Sequence, residues 1–291
     1  MTEATNPSGP AEPVPPAPAA KHGRAGRNLL VAAAMGVFLG IGLVLLPVLY
    51  LPWLFSIIIS VAMAIGAWEI AGALEQRGIR VERWVLYVGC LAMAQAGYWY
   101  GVMAMVAAFA ATVLLAFGVR LRHGIDGFVA DVSANAMVAA WTGLMGGFAG
   151  VILAQSQGGD RVITIIVLTI CSDIGGYVFG VLWGKHPMAP TISPKKSWEG
   201  FAGSLLFQAV AGVLLFVYLL QAPWWQGLIT GLVLTVTATA GDFFESAVKR
   251  DLGVKDMSNL IPGHGGLMDR LDSILPNVFV GWLLLTIFLG S

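Results

Sequence analysis

The chain has 291 residues, 57% of them hydrophobic and 11% charged, with a formal net charge of zero. Soluble domains carry about 25% charged residues, so this composition excludes an ordinary water-solvated domain and makes lipid the solvent for most of the chain. Cys90 and Cys171 fall in separate apolar runs, which suits small buried hydrophobes rather than a disulfide or a CxxC metal pair.

Residues 1–28 contain "NPSGPAEPVPPAPAA", rich in Pro and Ala and without an apolar face. Such a segment buries too little surface to offset its ordering entropy and is predicted to be a disordered cytoplasmic tail. Its basic stretch and the following apolar run come late and lack a small-residue cleavage site, so the run from Leu29 reads as a retained span rather than a secretory signal. A spanning helix needs about 20 mostly apolar residues. Runs of that kind lie at roughly 29–49, 53–73, 84–98, 100–119, 133–154, 162–184, 201–220, 225–247 and 274–290. They do not alternate in polarity as β-barrel strands do. The expected fold is an all-α polytopic membrane protein of about nine transmembrane helices. Its N-terminal transmembrane part would be 29–160 and its catalytic transmembrane region 161–291.

With the N-terminus placed in the cytoplasm, the loops on that side hold all of the 16 basic residues except Arg161. That asymmetry predicts an inner-membrane protein whose polar loops after the sixth and eighth spans face the cytoplasm.

Three polar groups stand out. In "CSDIGGYVFGVLWG", Asp173 is a carboxyl inside an apolar helix, which calls for a partner, a metal or a water-filled cavity. It could equally bond a neighbouring helix for packing, because Gly176, Gly180 and Gly184 form a small-residue stripe. In "KHPMAPTISPKKSWEG", Ser193, Lys195 and Lys196 can meet phosphate oxygens, while Glu199 sits near the start of the next helix. A loop that only sets topology or touches anionic lipid has the same composition. In "GDFFESAVKRDLGVKD", Asp242, Glu245, Ser246 and Lys249 fall on one helical face and must point into the bundle. Beyond them "SNLIPGHGGLMDRLDS" brings His264, Gly265, Gly266, Asp269, Arg270 and Asp272. The glycines allow close backbone approach to a ligand.

Mg²⁺ is usually held by one or two carboxylates plus substrate phosphates. Asp242 and Asp269 could supply that partial shell, and Lys249, Arg250, Lys255 and Arg270 could neutralise a polyphosphate. The set suits charge neutralisation at a transferring phosphoryl group without a protein nucleophile. Interhelical salt bridges such as Asp242 with Lys249 are the structural alternative. His264 could act as a base, but a phosphate monoester is already largely ionised near neutral pH, so a phosphate-contacting or structural role suits it better.

"SAVKRDLGVKDMSNLIPGHGGLMDRLD" resembles the signature of the phosphatidate cytidylyltransferases, or CDP-diacylglycerol synthases, through Ser246, Lys249, Arg250, Lys255, Asp256, Pro262, His264, Gly265, Gly266, Asp269, Arg270 and Asp272. "ISPKKSWEG" and "SDIGGY" resemble the family's upstream blocks, with Ile174 where a small or hydroxyl residue often follows the aspartate. The likeness covers about residues 170–275. It implies that CTP and phosphatidic acid give CDP-diacylglycerol and pyrophosphate. It further implies dependence on Mg²⁺, with K⁺ as a second cation, metal-site aspartates at Asp242 and Asp269 with Ser246 nearby, and a homodimer among membrane lipids. No nucleic-acid partner is expected. Two rival readings use the same residues: CTP-dependent transfer to a different lipid or polyprenyl phosphate, and a transporter with coupled intramembrane acids. No repeated halves of the transporter kind are visible in the sequence.

Overall fold

A computed structural model describes residues 44–260 and 265–290. The predicted tail 1–28, most of the first predicted span and His264 lie outside the described residues. The elements in chain order are α1 (Leu46–Tyr50), α2 (Pro52–Glu75), α3 (Arg83–Arg120), α4 (Phe128–Val138), a π-helical turn (Ala139–Leu144), α5 (Met145–Leu153), α6 (Gly158–Trp183), β1 (Pro187–Ala189), β2 (Ser193–Ser197), α7 (Trp198–Tyr218), α8 (Trp224–Leu252), α9 (Met268–Leu271) and α10 (Ile274–Leu289). Seven helical stretches among the described residues are long and apolar enough to cross a membrane: 52–75, 83–123, 128–153, 158–183, 198–218, 224–252 and 268–289.

The helix α3 accounts for much of the difference from the predicted count of nine. Its 38 residues would run about 57 Å as one rod, nearly twice the hydrocarbon thickness. The backbone leaves helical geometry at Gly101, with φ 79° and ψ −172°. The chain turns back there: a Cβ on Gly89 would lie 2.3 Å from the Thr112 side chain, 23 positions along. The predicted runs 84–98 and 100–119 are therefore two antiparallel limbs of one hairpin. Glycine is required at the turn because a side chain makes that backbone region costly.

The hairpin brings its two ends together. Asp131 accepts from Arg120 Nε at 2.6 Å and from the Arg80 N–H at 2.8 Å. Arg120, fully buried, also donates to the carbonyls of Gly124 and Asp126. At the same end Arg77 donates to the Leu252 carbonyl at 2.8 Å. Arg161 starts α6 at the opposite end and donates to the Gly290 carbonyl. The segregation of Arg161 from the other basic residues is thus a property of the fold as well as of the sequence.

The second half packs through small residues. A Cβ on Gly175 would be 2.5 Å from the Gly203 carbonyl, and one on Gly212 2.2 Å from that of Gly227. Backbones of α6, α7 and α8 therefore touch directly, as membrane helices do where side chains give no hydrophobic advantage. Gln208 on α7 bonds the Leu168 carbonyl and Thr235, while Asn277 on α10 bonds Thr169 and Thr237. These buried amides are satisfied, as a low-dielectric interior requires. The predicted boundaries are short at the polar end of α8, which runs on to Leu252, because hydropathy fades where the charged stripe begins.

Candidate active site

The β1–β2 hairpin, paired antiparallel between α6 and α7, forms a lid edge over a cavity of about 350 Å³. Its wall includes Asp173 from α6, Ser193, Lys195 and Lys196 from β2, and Asp242 from α8. Four of the residues predicted from two separate motifs, plus Asp242, thus share one space. Ser197 caps α7 by accepting the Gly200 N–H at 3.1 Å. Glu199 accepts the N–H groups of Lys185 and His186 and pairs with the His186 ring. These bonds fix both ends of the hairpin and so the position of the two lysines. Gly176 and Gly180 pack on the Ser197–Ser204 stretch, while Asp173 lines the cavity.

Lys196 pairs with Asp242 and lies 5.1 Å from the centre of the Phe243 ring. Gly241 beside it lets α8 press on the backbone of Asp272, where a Cβ would stand 2.3 Å from the carbonyl oxygen. The carboxyl of Asp272 consequently lies against both Asp242 and Glu245. Glu245 is fully buried and accepts from Lys249 at 2.7 Å, and Lys249 donates in turn to Asp269 at 2.8 Å. Asp269 also accepts the backbone N–H groups of Gly266 at 2.7 Å and Met257 at 3.0 Å. Arg270 is within electrostatic reach of Asp173. The result is a continuous polar belt across α6, β2, α8 and α9.

The predicted pair Asp242 and Asp269 belongs to this belt, but Asp272, Glu245 and Lys249 stand between them. Asp269 does not line the cavity that holds Asp242. The predicted salt bridge of Asp242 with Lys249 is not formed: each has a different partner. Ser246 is half-buried on α8, and Lys255 is exposed. Arg250 reaches the Ile192 carbonyl at 3.4 Å, tying the end of α8 to the hairpin. Gly265 adopts φ 82°. At Gly266 the close approach is made by the chain's own carboxylates, with Glu69 oxygens 2.8 and 2.9 Å from where a Cβ would sit. Glu69 has no counterpart among the predicted site residues. It lies in an apolar run nearly 200 positions before its partners and carries no local mark of its role.

The carboxyls of the belt outnumber its cations. Five carboxyls, Asp173, Asp242, Glu245, Asp269 and Asp272, meet Lys196, Lys249 and Arg270, an excess of two negative charges when all are ionised. Glu245 Oε1 is buried with no hydrogen-bond donor among the described residues. Abutting carboxylates need a proton or a cation between them. Among the described residues no group of three or more Asp, Glu, His or Cys side chains is placed to hold a metal ion by itself. The chain offers a partial shell, as Mg²⁺ sites completed by substrate phosphates do.

Known proteins are similar to this chain in sequence. The phosphatidate cytidylyltransferase of Mycobacterium leprae is 38% identical over 280 residues, covering 91% of this chain and 89% of that protein. The one from Mycobacterium bovis is 40% identical over 278 residues, covering 91% and 90%. The phosphatidate cytidylyltransferase of Staphylococcus saprophyticus is 34% identical over 146 residues, half of this chain. The sequence profile of the cytidylyltransferase family matches residues 31–288, and with it the whole polar belt, so the chain belongs to that family.

Proposed function

We propose that the chain transfers CMP from CTP to phosphatidic acid, giving CDP-diacylglycerol and pyrophosphate. The observation that carries this reading is the cavity in which Ser193, Lys195 and Lys196 face Asp173 and Asp242, joined to the acidic belt of the signature motif. A phosphate oxygen of the lipid attacks the α-phosphorus of CTP in line. The bond from that phosphorus to the oxygen bridging the β-phosphate breaks, and pyrophosphate leaves with its electron pair. No proton need be removed from the nucleophile, since a phosphate monoester has a second pKa of about 6.

The residues orient and neutralise. Lys195 and Lys196 take the nucleotide phosphates, and Lys249, Arg250, Lys255 and Arg270 compensate charge that builds on the leaving group. Gly265 and Gly266 lie in the turn beside it, and His264 would contact phosphate. Asp242 and Asp269, with Asp272 between them and Ser246 nearby, would hold Mg²⁺, with K⁺ as a second cation. Magnesium there would supply charge neutralisation and a fixed position for the phosphates. CTP arrives from the cytoplasm and phosphatidate from the leaflet. The polar belt therefore sits where a water-soluble nucleotide and a membrane lipid can meet. Two such chains form a dimer.

The test is purified protein in detergent with CTP labelled at the α-phosphorus, phosphatidate and Mg²⁺. CDP-lipid and pyrophosphate are expected in equal amounts. Turnover with polyprenyl phosphate and none with phosphatidate would move the assignment to another lipid acceptor, and neither product with any lipid phosphate would refute it.

A further inference from the structure

We infer that Glu69, in the N-terminal half of the chain, is the positioning residue of the signature turn that carries Asp269. Glu69 is 2% exposed on α2. Its Oε1 accepts from the Leu267 N–H at 2.8 Å and from Ser258 Oγ at 2.5 Å. Its Oε2 accepts from the Met268 N–H at 2.7 Å. Three donors on one buried carboxylate are a strong clamp, since hydrogen bonds to an ionised acceptor are stronger than those between neutral groups.

Leu267 and Met268 open α9, and the capping residue Leu267 has no side-chain oxygen to satisfy these first amides. Glu69 supplies it from another helix. Asp269 in turn ties down the amides of Gly266 and Met257 and receives Lys249. Glu69 binds residues 258, 267 and 268, and Asp269 binds 257 and 266. The two acids thus staple both arms of the turn, and the orientation of Asp269 depends on Glu69. Gly266 has to lack a side chain because the two carboxylates meet over it: a Cβ there would stand 2.8 Å from Glu69 Oε1 and 3.0 Å from Asp269 Oδ2.

This inference rests on the proposed reaction for its kinetic part only. The test uses the full chain in detergent with Glu69→Gln, Gly266→Ala and the double variant. Gln keeps the size but turns one acceptor into a donor, and a methyl at 266 pushes on the same carboxylate. Loss of about 1.4 kcal/mol corresponds to a tenfold change. Amide hydrogen exchange at Leu267 and Met268 should therefore rise by about tenfold in each single variant. The thermal midpoint should stay within about 4 °C of the parent. Half-saturating Mg²⁺ for CMP transfer should rise by about tenfold, with the KM for phosphatidate unchanged. The double variant should be no worse than the worse single one. A merely structural role would lower the amount of active protein, and hence the maximal rate, without moving half-saturating Mg²⁺. Unchanged exchange at Leu267 and Met268, parental Mg²⁺ dependence in both variants, or a global rise in exchange with a collapsed midpoint would each overturn the inference. If the parent itself makes no CDP-lipid, the proposed reaction fails while the exchange measurement still decides the clamp.

Discussion

Lys196 crosses from β2 to Asp242 on α8, while Lys195 beside it is exposed. Adjacent residues on a strand point to opposite faces, so one lysine is held in the belt and its neighbour is left at the cavity mouth. Removing Lys196 should cost both the partner of Asp242 and a phosphate contact. Charge-assisted bonds of about 1.5–3 kcal/mol translate into a fall of about 10- to 150-fold in kcat/KM for Lys196→Met. Lys195→Met should fall by about tenfold or less, as an exposed cation is screened. Steady-state kinetics with CTP as the varied substrate checks the order, and equal losses would contradict it. At this scale the sequence was informative in two ways: Asp173 and Asp242 break apolar runs and announce themselves by their cost in lipid, whereas Lys196 and Asp269 stand in polar loops and are marked by their motifs. Glu69 announces itself only weakly, because a single acid among apolar neighbours does not say which distant amides it serves.

Elements differ in how plainly their ends are written. The predicted span 53–73 matches Pro52–Glu75 closely, since Pro47 and Pro52 punctuate its start and Gln76 to Gly78 its end. The apolar run across 84–119 has no charge to divide it, and its turn is encoded by one glycine whose backbone angle no composition reveals. Gly101→Ala meets no atom within 4 Å, so its effect isolates backbone strain, about 1–3 kcal/mol. Gly118→Ala also meets nothing, but lies in helix, where Ala is favoured by about 1 kcal/mol. Thermal midpoints of the two variants in detergent should move in opposite directions. A neutral Gly101→Ala would mean that the hairpin turn is not held in this geometry.

For the whole molecule, the hairpin and the pairing of Arg80, Arg120 and Asp131 place the basic loops at one end and Arg161 at the other. The family and the apolar helices make this an integral membrane protein, and membership of an enzyme family leaves the transporter reading without support. The charge asymmetry is the ground for proposing that the belt end faces the cytoplasm. In a background with Cys90 and Cys171 replaced by Ala, Lys255→Cys should react with an impermeant thiol reagent only in inside-out vesicles, and Ser156→Cys only in right-side-out cells. The reverse pattern would put the belt on the wrong side for CTP.

In the proposed reaction, carboxylates from α8 and the signature turn handle the phosphates of CTP together with a divalent cation. The most direct measurement is product formation from labelled CTP and phosphatidate, with and without a chelator, by the parent chain and by Asp242→Asn and Asp269→Ala. The account predicts that chelation abolishes CDP-lipid and pyrophosphate in the parent, that added Mg²⁺ restores both, and that each variant loses both while staying folded at the parental yield. Normal turnover by either folded variant, or undiminished turnover after chelation, would contradict it.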